Sequence, residues 1–284
     1  MITHAIGVLA VVGASLNSQP ATPKPLPKPT PDFKVEELAA GLRAPWELVF
    51  LPDGRTWFTE REGRVRVIID GKLRPDPVFA PAGLKSWQKM GLLGLALAPD
   101  FATSRHVYLA ENYEDAGANL MRVVRYRESG GTLVEPLTLV QKVPAFWNHT
   151  GGRLRFGPDG KLYITTGDAD KPPLAQNPKS LAGKILRLNP DGTTPPDNPF
   201  ADGRRGRPEV WTLGHRNPQG LAFQPDTGRL FAPEHGPDGG DEINIIVKGR
   251  NYGWPVVSHD KRKDGMTPSL LQYTPSIAPS GAMF

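Results

Sequence analysis

The chain has 284 residues, a formal net charge of +5 and no cysteine. Without cysteine, a disulfide framework, a zinc–thiolate site, an iron–sulfur cluster and a thiol nucleophile are all excluded. The small, scattered excess of positive charge gives no reason to expect nucleic acid as a partner. Glycine and proline number 31 each. Together they make up about 22% of the chain against about 12% on average, which argues against a helical bundle and favours many short strands and turns.

Two N-terminal segments are predicted to precede the folded domain. Residues 5–16 are an apolar run, shorter than the roughly 20 residues that span a bilayer and suited to the core of an export signal. We therefore predict a signal peptide or apolar leader over 1–19, no stable membrane insertion, and a periplasmic or secreted protein. Residues 20–32 are rich in proline and predict a linker, which leaves 33–284 as the folded domain.

Four segments repeat one pattern, in which an apolar residue, a Pro-Asp turn and an alternating strand follow one another. The turn aspartates are Asp53, Asp100, Asp159 and Asp226, separated by 47, 59 and 67 residues. A unit of about 58 residues holds four short strands with their loops, which is the size of one propeller blade. The pattern therefore predicts an all-β propeller without a layer of helices.

The length of the predicted domain accommodates about four to five such blades. The sequence stops in the middle of the pattern, without a strand that would close the ring. Propellers usually close with about 4–8 blades, because closure covers the exposed edges of the sheets. We therefore expect a propeller that is incomplete at its C-terminus.

The first candidate chemical motif is WNHTGGR at 147–153, a loop directly before the third repeat strand. An imidazole titrates near neutrality, so His149 could accept a proton from a substrate hydroxyl. Asp168 stands at the end of the same strand, and a carboxylate commonly fixes the tautomer of a basic histidine. The alternatives are a histidine on a surface loop and an aspartate in an ordinary turn.

Two later loops carry further polar groups. In GHRNPQG at 214–220, Arg216 and Asn217 offer donors for carboxylate or quinone oxygens, and the alternative is a solvated arginine at a turn. Residues 234–242 contain four carboxylates and three glycines. Hard oxygen donors at this density suit Ca²⁺, and the alternative is an acidic surface turn.

These strings, in chain order, resemble the soluble quinoprotein sugar dehydrogenases of the glucose/sorbosone dehydrogenase family. The matching pieces include GLLGLALAPDF, HTGGRLRFGPDGKLYITTGD, GHRNPQGLAF and EHGPDGGDEINIIVKGRNYGWP. The resemblance implies a six-bladed propeller that binds pyrroloquinoline quinone (PQQ) and Ca²⁺. It implies oxidation of an aldose sugar at the anomeric carbon by hydride transfer to the quinone, with an external electron acceptor. We expect a monomer or a homodimer.

The resemblance also implies roles for the residues around the cofactor. His149 falls where the family has its general base, in contact with the quinone, and Asp168 matches the carboxylate that orients it. Arg216 and Asn217 fall where the family contacts the quinone, with Arg216 activating the reacting carbonyl.

The acidic loop is similar to the family's calcium-binding region. Gly236 and Pro237 match backbone-carbonyl ligands of the calcium that the cofactor binds. Glu242 and Tyr252 match a second calcium site, with Asp241 nearby. The resemblance therefore implies that this one segment serves both the cofactor and the fold.

Three residues stand at or beside the family's substrate-binding positions, and two of them depart from its pattern. Lys89 stands where a glutamine is usual, although Gln88 is one position away, and Asn148 stands where the glucose enzymes have an aspartate, which argues against glucose-type positioning of the substrate. Two other functions stay open at this point. A calcium-dependent propeller hydrolase, such as a lactonase, would have no need of the Arg216–Asn217 pair, and a non-catalytic extracellular binding propeller would need no chemistry at all.

Overall fold

The computed structural model describes residue 34 and residues 36–284, so the predicted leader and linker lie outside the described residues. The described part contains four antiparallel sheets of four strands, and in each sheet strands that follow one another in sequence are hydrogen-bonded neighbours. This up-and-down order defines four blades of an all-β propeller. No helix in this part of the chain is long and apolar enough to cross a membrane.

The bounds of the elements are as follows. The first blade contains β1 (Pro45–Phe50), β2 (Thr56–Glu60), β3 (Arg64–Ile69) and β4 (Lys72–Leu73), and the second contains β5 (Leu92–Leu97), β6 (His106–Asp115), β7 (Ala118–Ser129) and β8 (Thr132–Pro144). The third contains β9 (Leu154–Phe156), β10 (Leu162–Thr166), β11 (Lys184–Leu188) and β12 (Val210–Leu213), and the fourth contains β13 (Ala222–Phe223), β14 (Leu230–Glu234), β15 (Asp241–Ile246) and β16 (Leu271–Tyr273). Two single-turn helices, α1 (Phe101–Ser104) and α2 (Pro173–Gln176), lie in loops.

Each repeated Pro-Asp turn lies between the first and second strands of a blade, as the pattern indicates. At two of them the aspartate accepts a hydrogen bond from a backbone N–H two residues later: Arg55 N to Asp53 Oδ1 at 3.2 Å and Lys161 N to Asp159 Oδ1 at 3.1 Å. This local bond closes the turn without help from the rest of the fold. The propeller is confirmed, with four blades among the described residues; six-bladed closure and C-terminal incompleteness stay predictions.

The second strands are more buried than an alternating pattern indicates. Every residue of β2 and of β10 is buried, although their side chains alternate in direction. The reason is that a blade has a neighbour on each side. Three hydrophobic clusters fill the gaps between successive blades, and they contain Trp57 and Leu109 (first and second), Met121 and Ile164 (second and third), and Ile185 and Ile246 (third and fourth).

A buried ion pair connects the inner strands of three blades. Arg153, which precedes β9, bonds through Nη1 to Oε2 of Glu47 on β1 at 2.5 Å, and both side chains are buried. Its Nε donates to the carbonyl of Gln219 before β13 at 2.9 Å, and its guanidinium lies 4.0 Å from the ring centroid of Trp46. Breaking a buried pair leaves an uncompensated charge, at a typical cost of about 3–5 kcal/mol. The pair therefore holds the loops before β9 and β13 in place.

Candidate functional site

The loop before β9 places His149 against Asp168, two residues after β10. His149 Nδ1 lies 2.8 Å from Asp168 Oδ1, with the histidine 5% and the aspartate 0% exposed. Because an ionised carboxylate only accepts hydrogen bonds, this contact assigns the ring proton to Nδ1. Nε2 then carries the lone pair, and it makes no hydrogen bond within the described part of the chain. A histidine in this state can accept a proton.

Three other groups fix the Asp168 carboxylate and its backbone. Trp254 Nε1 donates to Oδ2 at 2.8 Å, and the backbone N–H of Asp170 donates to Oδ1 at 2.8 Å. The backbone N–H of Asp168 in turn donates to the carbonyl of Arg216 at 2.8 Å. The aspartate is therefore a positioning residue that ties the loop after β10 to the loop before β13 and to the segment after β15.

Two glycines allow the His149 loop to approach the end of β10. A Cβ on Gly167 would lie 1.9 Å from the backbone oxygen of His149. Gly151 has a φ of +63°, and a Cβ there would lie 2.7 Å from the oxygen of Thr165. His149 itself has a φ of +44°, a left-handed conformation that costs a non-glycine residue about 1–2 kcal/mol. Residues held in such a conformation are often found at functional sites.

Arg216 and Asn217 lie on the loop before β13, next to this pair. Arg216 Nη1 donates to the carbonyl of His235 at 3.2 Å, and its guanidinium lies 5.5 Å from the Trp254 ring centroid. Its Nε is buried and has no partner among the described residues. Burial lowers the pKa of Arg216, while the charges of Asp168 and Glu234 oppose that shift. The side chain therefore has a buried donor that an anionic ligand could satisfy.

The side-chain oxygen of Asn217 is already used within the protein. It accepts a hydrogen bond from the backbone N–H of Gly151 at 3.2 Å and another from Gln219 Nε2 at 2.9 Å. The second bond stays within its own loop, whereas the first reaches the His149 loop. Asn217 therefore connects the two loops, and its amide nitrogen is the polar atom left for a ligand.

A second buried histidine, which sequence reasoning did not single out, lies in the fourth blade. His215 Nδ1 lies 2.7 Å from Glu234 Oε2, and His215 Nε2 lies 2.9 Å from Thr212 Oγ1. Its ring stacks on Tyr252 at a centroid distance of 4.8 Å. A sequence signal was available, because both histidines precede their acid by 19 residues.

Two carboxylates face one another across the fourth blade. Glu234 on β14 pairs in register with Glu242 on β15, and the Asn244 amide donates to Glu242 Oε2 at 3.0 Å. Burial, and then the charge of Glu234, raise the pKa of Glu242 to about 8. Like charges directly opposite on a sheet are destabilising, so this pair needs a cation or a proton.

The predicted metal-binding residues of the acidic loop differ in whether their oxygens are already hydrogen-bonded. Gly236 and Pro237 line the same cavity as Arg216 and Glu242, and no described backbone N–H donates to their carbonyls. The carboxylate of Asp241, in contrast, accepts hydrogen bonds from four groups, which are Gly236 N, Ser276 Oγ, Ile277 N and Ala278 N.

Tyr252 is the remaining predicted metal-binding residue, and its hydroxyl forms hydrogen bonds with backbone groups. It donates to the carbonyl of Ile245 at 2.5 Å and accepts from the N–H of Val247 at 2.9 Å. Within the described residues, no three His, Asp or Glu side chains form a group that could hold a metal ion. A metal at this site would therefore depend on backbone carbonyls as well as carboxylates.

The predicted substrate residues come together next to the His149 loop. Lys89 Nζ donates to Asn148 Oδ1 at 3.4 Å, and the backbone N–H of Lys89 donates to the carbonyl of Trp147 at 3.1 Å. Gln88 and Lys89 are both exposed. Burial lowers the pKa of His235; the charge of Asp241 and a backbone contact with Pro279 oppose this shift, and the positive charges of Lys89 and Arg216 add to it. Lys89 therefore faces the same side of the propeller as Arg216.

Known proteins are similar to this chain in both sequence and fold. A family model described as "Glucose / Sorbosone dehydrogenase" matches residues 42–284. Aldose sugar dehydrogenase YliI of Escherichia coli is 39% identical over 232 residues, which are 79% of this chain and 62% of that protein. Quinoprotein glucose dehydrogenase B of Acinetobacter calcoaceticus is 34% identical over 277 residues, or 87% of this chain and 57% of that protein. The chain thus spans less than two thirds of the length of both relatives.

Solved structures agree with the sequence matches. An oxidoreductase of Thermus thermophilus named as a glucose dehydrogenase gives a TM-score of 0.84 at 43% identity, over 88% of this chain and 76% of that chain. The PQQ-bound form of an aldose sugar dehydrogenase from Streptomyces coelicolor gives 0.78 at 38% identity, over 88% and 74%. The propeller and the family match define a dehydrogenase-type β-propeller. This chain belongs to the glucose/sorbosone dehydrogenase family.

Proposed function

We propose that this chain carries the catalytic face of a PQQ- and calcium-dependent aldose dehydrogenase. It would oxidise the sugar at the anomeric carbon and pass the electrons to an external acceptor. The observation that carries this proposal is the buried His149–Asp168 pair, whose Nε2 has no partner among the described residues. The names of the Escherichia coli and Acinetobacter relatives and the PQQ-bound Streptomyces structure support the substrate class and the cofactor.

The donors in the site fit an anionic quinone cofactor. Arg216 Nε is buried without a partner among the described residues, and the Arg216 side chain lines a small cavity together with Gly236 and Pro237. A buried donor without an acceptor costs about 1–3 kcal/mol, which a carboxylate or quinone oxygen would remove. When bound, PQQ supplies a two-electron acceptor. Arg216, Asn217 and His149 are the residues that we propose to hold it.

The acidic pair fits a calcium ion. Glu242 and Glu234 are opposed in register, and burial together with the charge of Glu234 raises the pKa of Glu242. Calcium takes six to eight oxygen ligands, including backbone carbonyls. We propose the carbonyls of Gly236 and Pro237 as ligands of the calcium that the cofactor binds, and Glu242 as a ligand of a second calcium. Tyr252 and Asp241 stay predicted members of this second site, and in the structure their oxygens also bond to neighbouring groups.

The roles of the protein side chains follow from their contacts. His149 Nε2 accepts the proton of the anomeric hydroxyl, since Nδ1 already carries the other ring proton. Asp168 then stabilises the imidazolium through the 2.8 Å contact. Arg216, held by the His235 carbonyl and Trp254, provides a fixed positive charge where negative charge develops. A positioned base of this kind contributes about 10²–10⁴-fold to the rate.

Reconstitution of the purified protein tests the proposal. PQQ and Ca²⁺ are added together and separately, and the reduction of an electron-acceptor dye is followed with several aldoses. We expect reduction only when both are present, and none in the His149→Ala variant. Hydrolysis of lactones with calcium alone, without dye reduction, would instead identify a hydrolase.

The cellular location and the complete architecture belong to the same proposal. We propose export to the periplasm or the medium through the apolar segment 1–19, and a six-bladed ring like the one that the family resemblance implies. Amino-terminal sequencing of the exported protein would test the first point. The expected new terminus lies before the proline-rich segment, and an intact Met1 in the cytoplasm would contradict it.

A further inference from the structure

Three aromatic side chains pack together beside the site, and we call them the aromatic ledge: Trp87, which is exposed, and the half-buried Phe146 and Trp147. The rings of Trp87 and Phe146 meet edge to face, with centroids 6.4 Å apart at 87°. Those of Phe146 and Trp147 lie 6.2 Å apart at 57°. Trp87 is 45% exposed, although a tryptophan usually buries most of its ring. The ledge therefore presents one exposed indole, that of Trp87, supported by two half-buried rings.

The ledge is continuous with the proposed catalytic residues. Trp147 precedes His149 by two residues, and its carbonyl accepts the backbone N–H of Lys89 at 3.1 Å. The N–H of Met90 donates to the carbonyl of Trp87 at 2.9 Å, so Trp87 and Lys89 belong to one tight turn. The Lys89 ammonium reaches the Asn148 side chain at 3.4 Å. Aromatic rings, an ammonium group and an amide thus lie side by side.

This combination matches the surface of a sugar ring. A pyranose has an apolar C–H face and a rim of hydroxyls, and the negative face of an aromatic ring attracts polarised C–H groups. Ligand sites commonly combine aromatic walls with a few placed polar groups, here Lys89 and Asn148. One exposed indole is also much smaller than a protein interface, which buries about 1,200–2,000 Å². A single ring is the occupant that fits its size.

We propose that the aromatic ledge is a subsite for a second sugar ring. The reducing-end ring of a disaccharide or longer saccharide lies at His149, and the next ring stacks on Trp87 with its hydroxyls at Lys89 and Asn148. The placement relative to His149 rests on the proposed dehydrogenase function, whereas the binding of a sugar to Trp87 does not. The ledge therefore makes this chain prefer oligosaccharides over free monosaccharides.

Kinetics of the reconstituted enzyme test the preference. Trp87→Ala is compared with Trp87→Phe, which retains a ring, and with Phe50→Ala, which removes an exposed aromatic side chain on β1. For maltose, cellobiose and lactose, we expect Trp87→Ala to lower kcat/KM about three- to tenfold through KM for at least one sugar. Glucose should be unaffected, and Trp87→Phe should recover most of the loss. An equal loss for glucose, or no loss for any disaccharide, would overturn the subsite.

A binding experiment without turnover separates this inference from the proposed function. Methyl glycosides of the same disaccharides have no free anomeric hydroxyl, so they cannot be oxidised there. Their binding is measured by tryptophan fluorescence and calorimetry on the full chain, and we expect it to weaken in Trp87→Ala. Binding without any dehydrogenase activity would support the ledge and contradict the proposed function. A third outcome would overturn the subsite. If Trp87→Ala left the kinetic and binding constants for all sugars unchanged but slowed electron transfer to a protein acceptor and not to a dye, the ledge would be a protein-docking surface.

Discussion

The third and fourth blades each hold a buried histidine against a carboxylate in the same position of the blade. In both, the histidine lies in the loop before the first strand and the acid at the end of the second strand, 19 residues later. His149 Nδ1 is 2.8 Å from Asp168, and His215 Nδ1 is 2.7 Å from Glu234. The two pairs therefore share the same separation along the chain and the same contact at Nδ1, although Asp168 lies two residues after its strand and Glu234 is the last residue of its own.

They differ at the other ring nitrogen. His215 Nε2 is bonded to Thr212 Oγ1 at 2.9 Å, and the ring is fully buried and stacked on Tyr252. His149 Nε2 makes no bond among the described residues. The comparison shows that a histidine–carboxylate pair does not by itself define a base. The fourth-blade pair fixes the loop that carries Arg216, while the third-blade pair keeps a nitrogen available for a substrate.

The largest expected effect is the loss of the third-blade base. His149→Ala should reduce turnover of the reconstituted enzyme by about 10²–10⁴-fold, because it removes the proton acceptor, while cofactor affinity should change little. Steady-state kinetics and a cofactor titration measure the two effects separately. His106→Ala, which removes a half-buried histidine on β6, is the control and should retain full turnover. More than about a tenth of the original rate in His149→Ala would rule out His149 as the base.

Removal of the fourth-blade histidine should act on folding. His215→Ala deletes two buried hydrogen bonds and a stacked ring, and it removes a hydrogen-bond partner from the buried carboxylate of Glu234. We expect the free energy of unfolding to fall by about 2–4 kcal/mol, measured by urea denaturation. The matched variant His149→Ala should lose less stability, since only one of its ring nitrogens is bonded. Similar losses in both variants would remove the distinction between the pairs.

Calcium should stabilise the fourth blade by a comparable amount. A cation that binds only the folded chain adds about 2.7 kcal/mol at 100 times its Kd, because it neutralises the Glu234–Glu242 pair. Thermal melting with and without chelator measures this gain, and Glu242→Gln should abolish most of it. A melting temperature that chelator does not change in the unmodified protein would contradict the site.

The same pair predicts a pH dependence for the calcium-free protein. Burial and Glu234 raise the pKa of Glu242 to about 8 from an ordinary value of 4.5, so between these values the folded chain binds a proton that the unfolded chain has lost. Stability from this group is therefore complete below pH 4.5 and falls as the pH rises to about 8. Urea denaturation across this pH range measures the slope, and Glu242→Gln should flatten it.

The elements that could be predicted from the sequence are those with short-range causes. The Pro-Asp turns at Asp53 and Asp159 close through hydrogen bonds to residues two positions away. Each blade can therefore be recognised from its own repeat in the sequence. His149 and Asp168 are 19 positions apart and flank the β9–β10 hairpin, so their pairing could be proposed from their places before and after it and from the family resemblance.

Contacts between segments that are distant along the chain could not be predicted from any local sequence pattern. Arg153 and Glu47 are 106 residues apart, and Trp254 and Asp168 are 86 residues apart. Their pairing depends on how the blades are arranged around the ring, which no local pattern encodes. Sequence reasoning also assigned Asp241 to a metal, and that role stays a prediction. Its four hydrogen-bond donors come largely from the segment 276–278, which begins 35 residues away.

The smallest expected effect tests whether an available nitrogen is enough to make a base. Thr212→Val keeps the shape of a fully buried side chain and removes the hydroxyl that bonds His215 Nε2. The free energy of unfolding should fall by about 1–2 kcal/mol, the usual cost of one buried unsatisfied group. In the His149→Ala background, Thr212→Val should restore no turnover, because the His215 ring remains stacked on Tyr252 and away from solvent. Recovered dye reduction in the double variant would show that the two pairs are interchangeable, and that hydrogen bonding at Nε2 alone separates a structural histidine from a catalytic one.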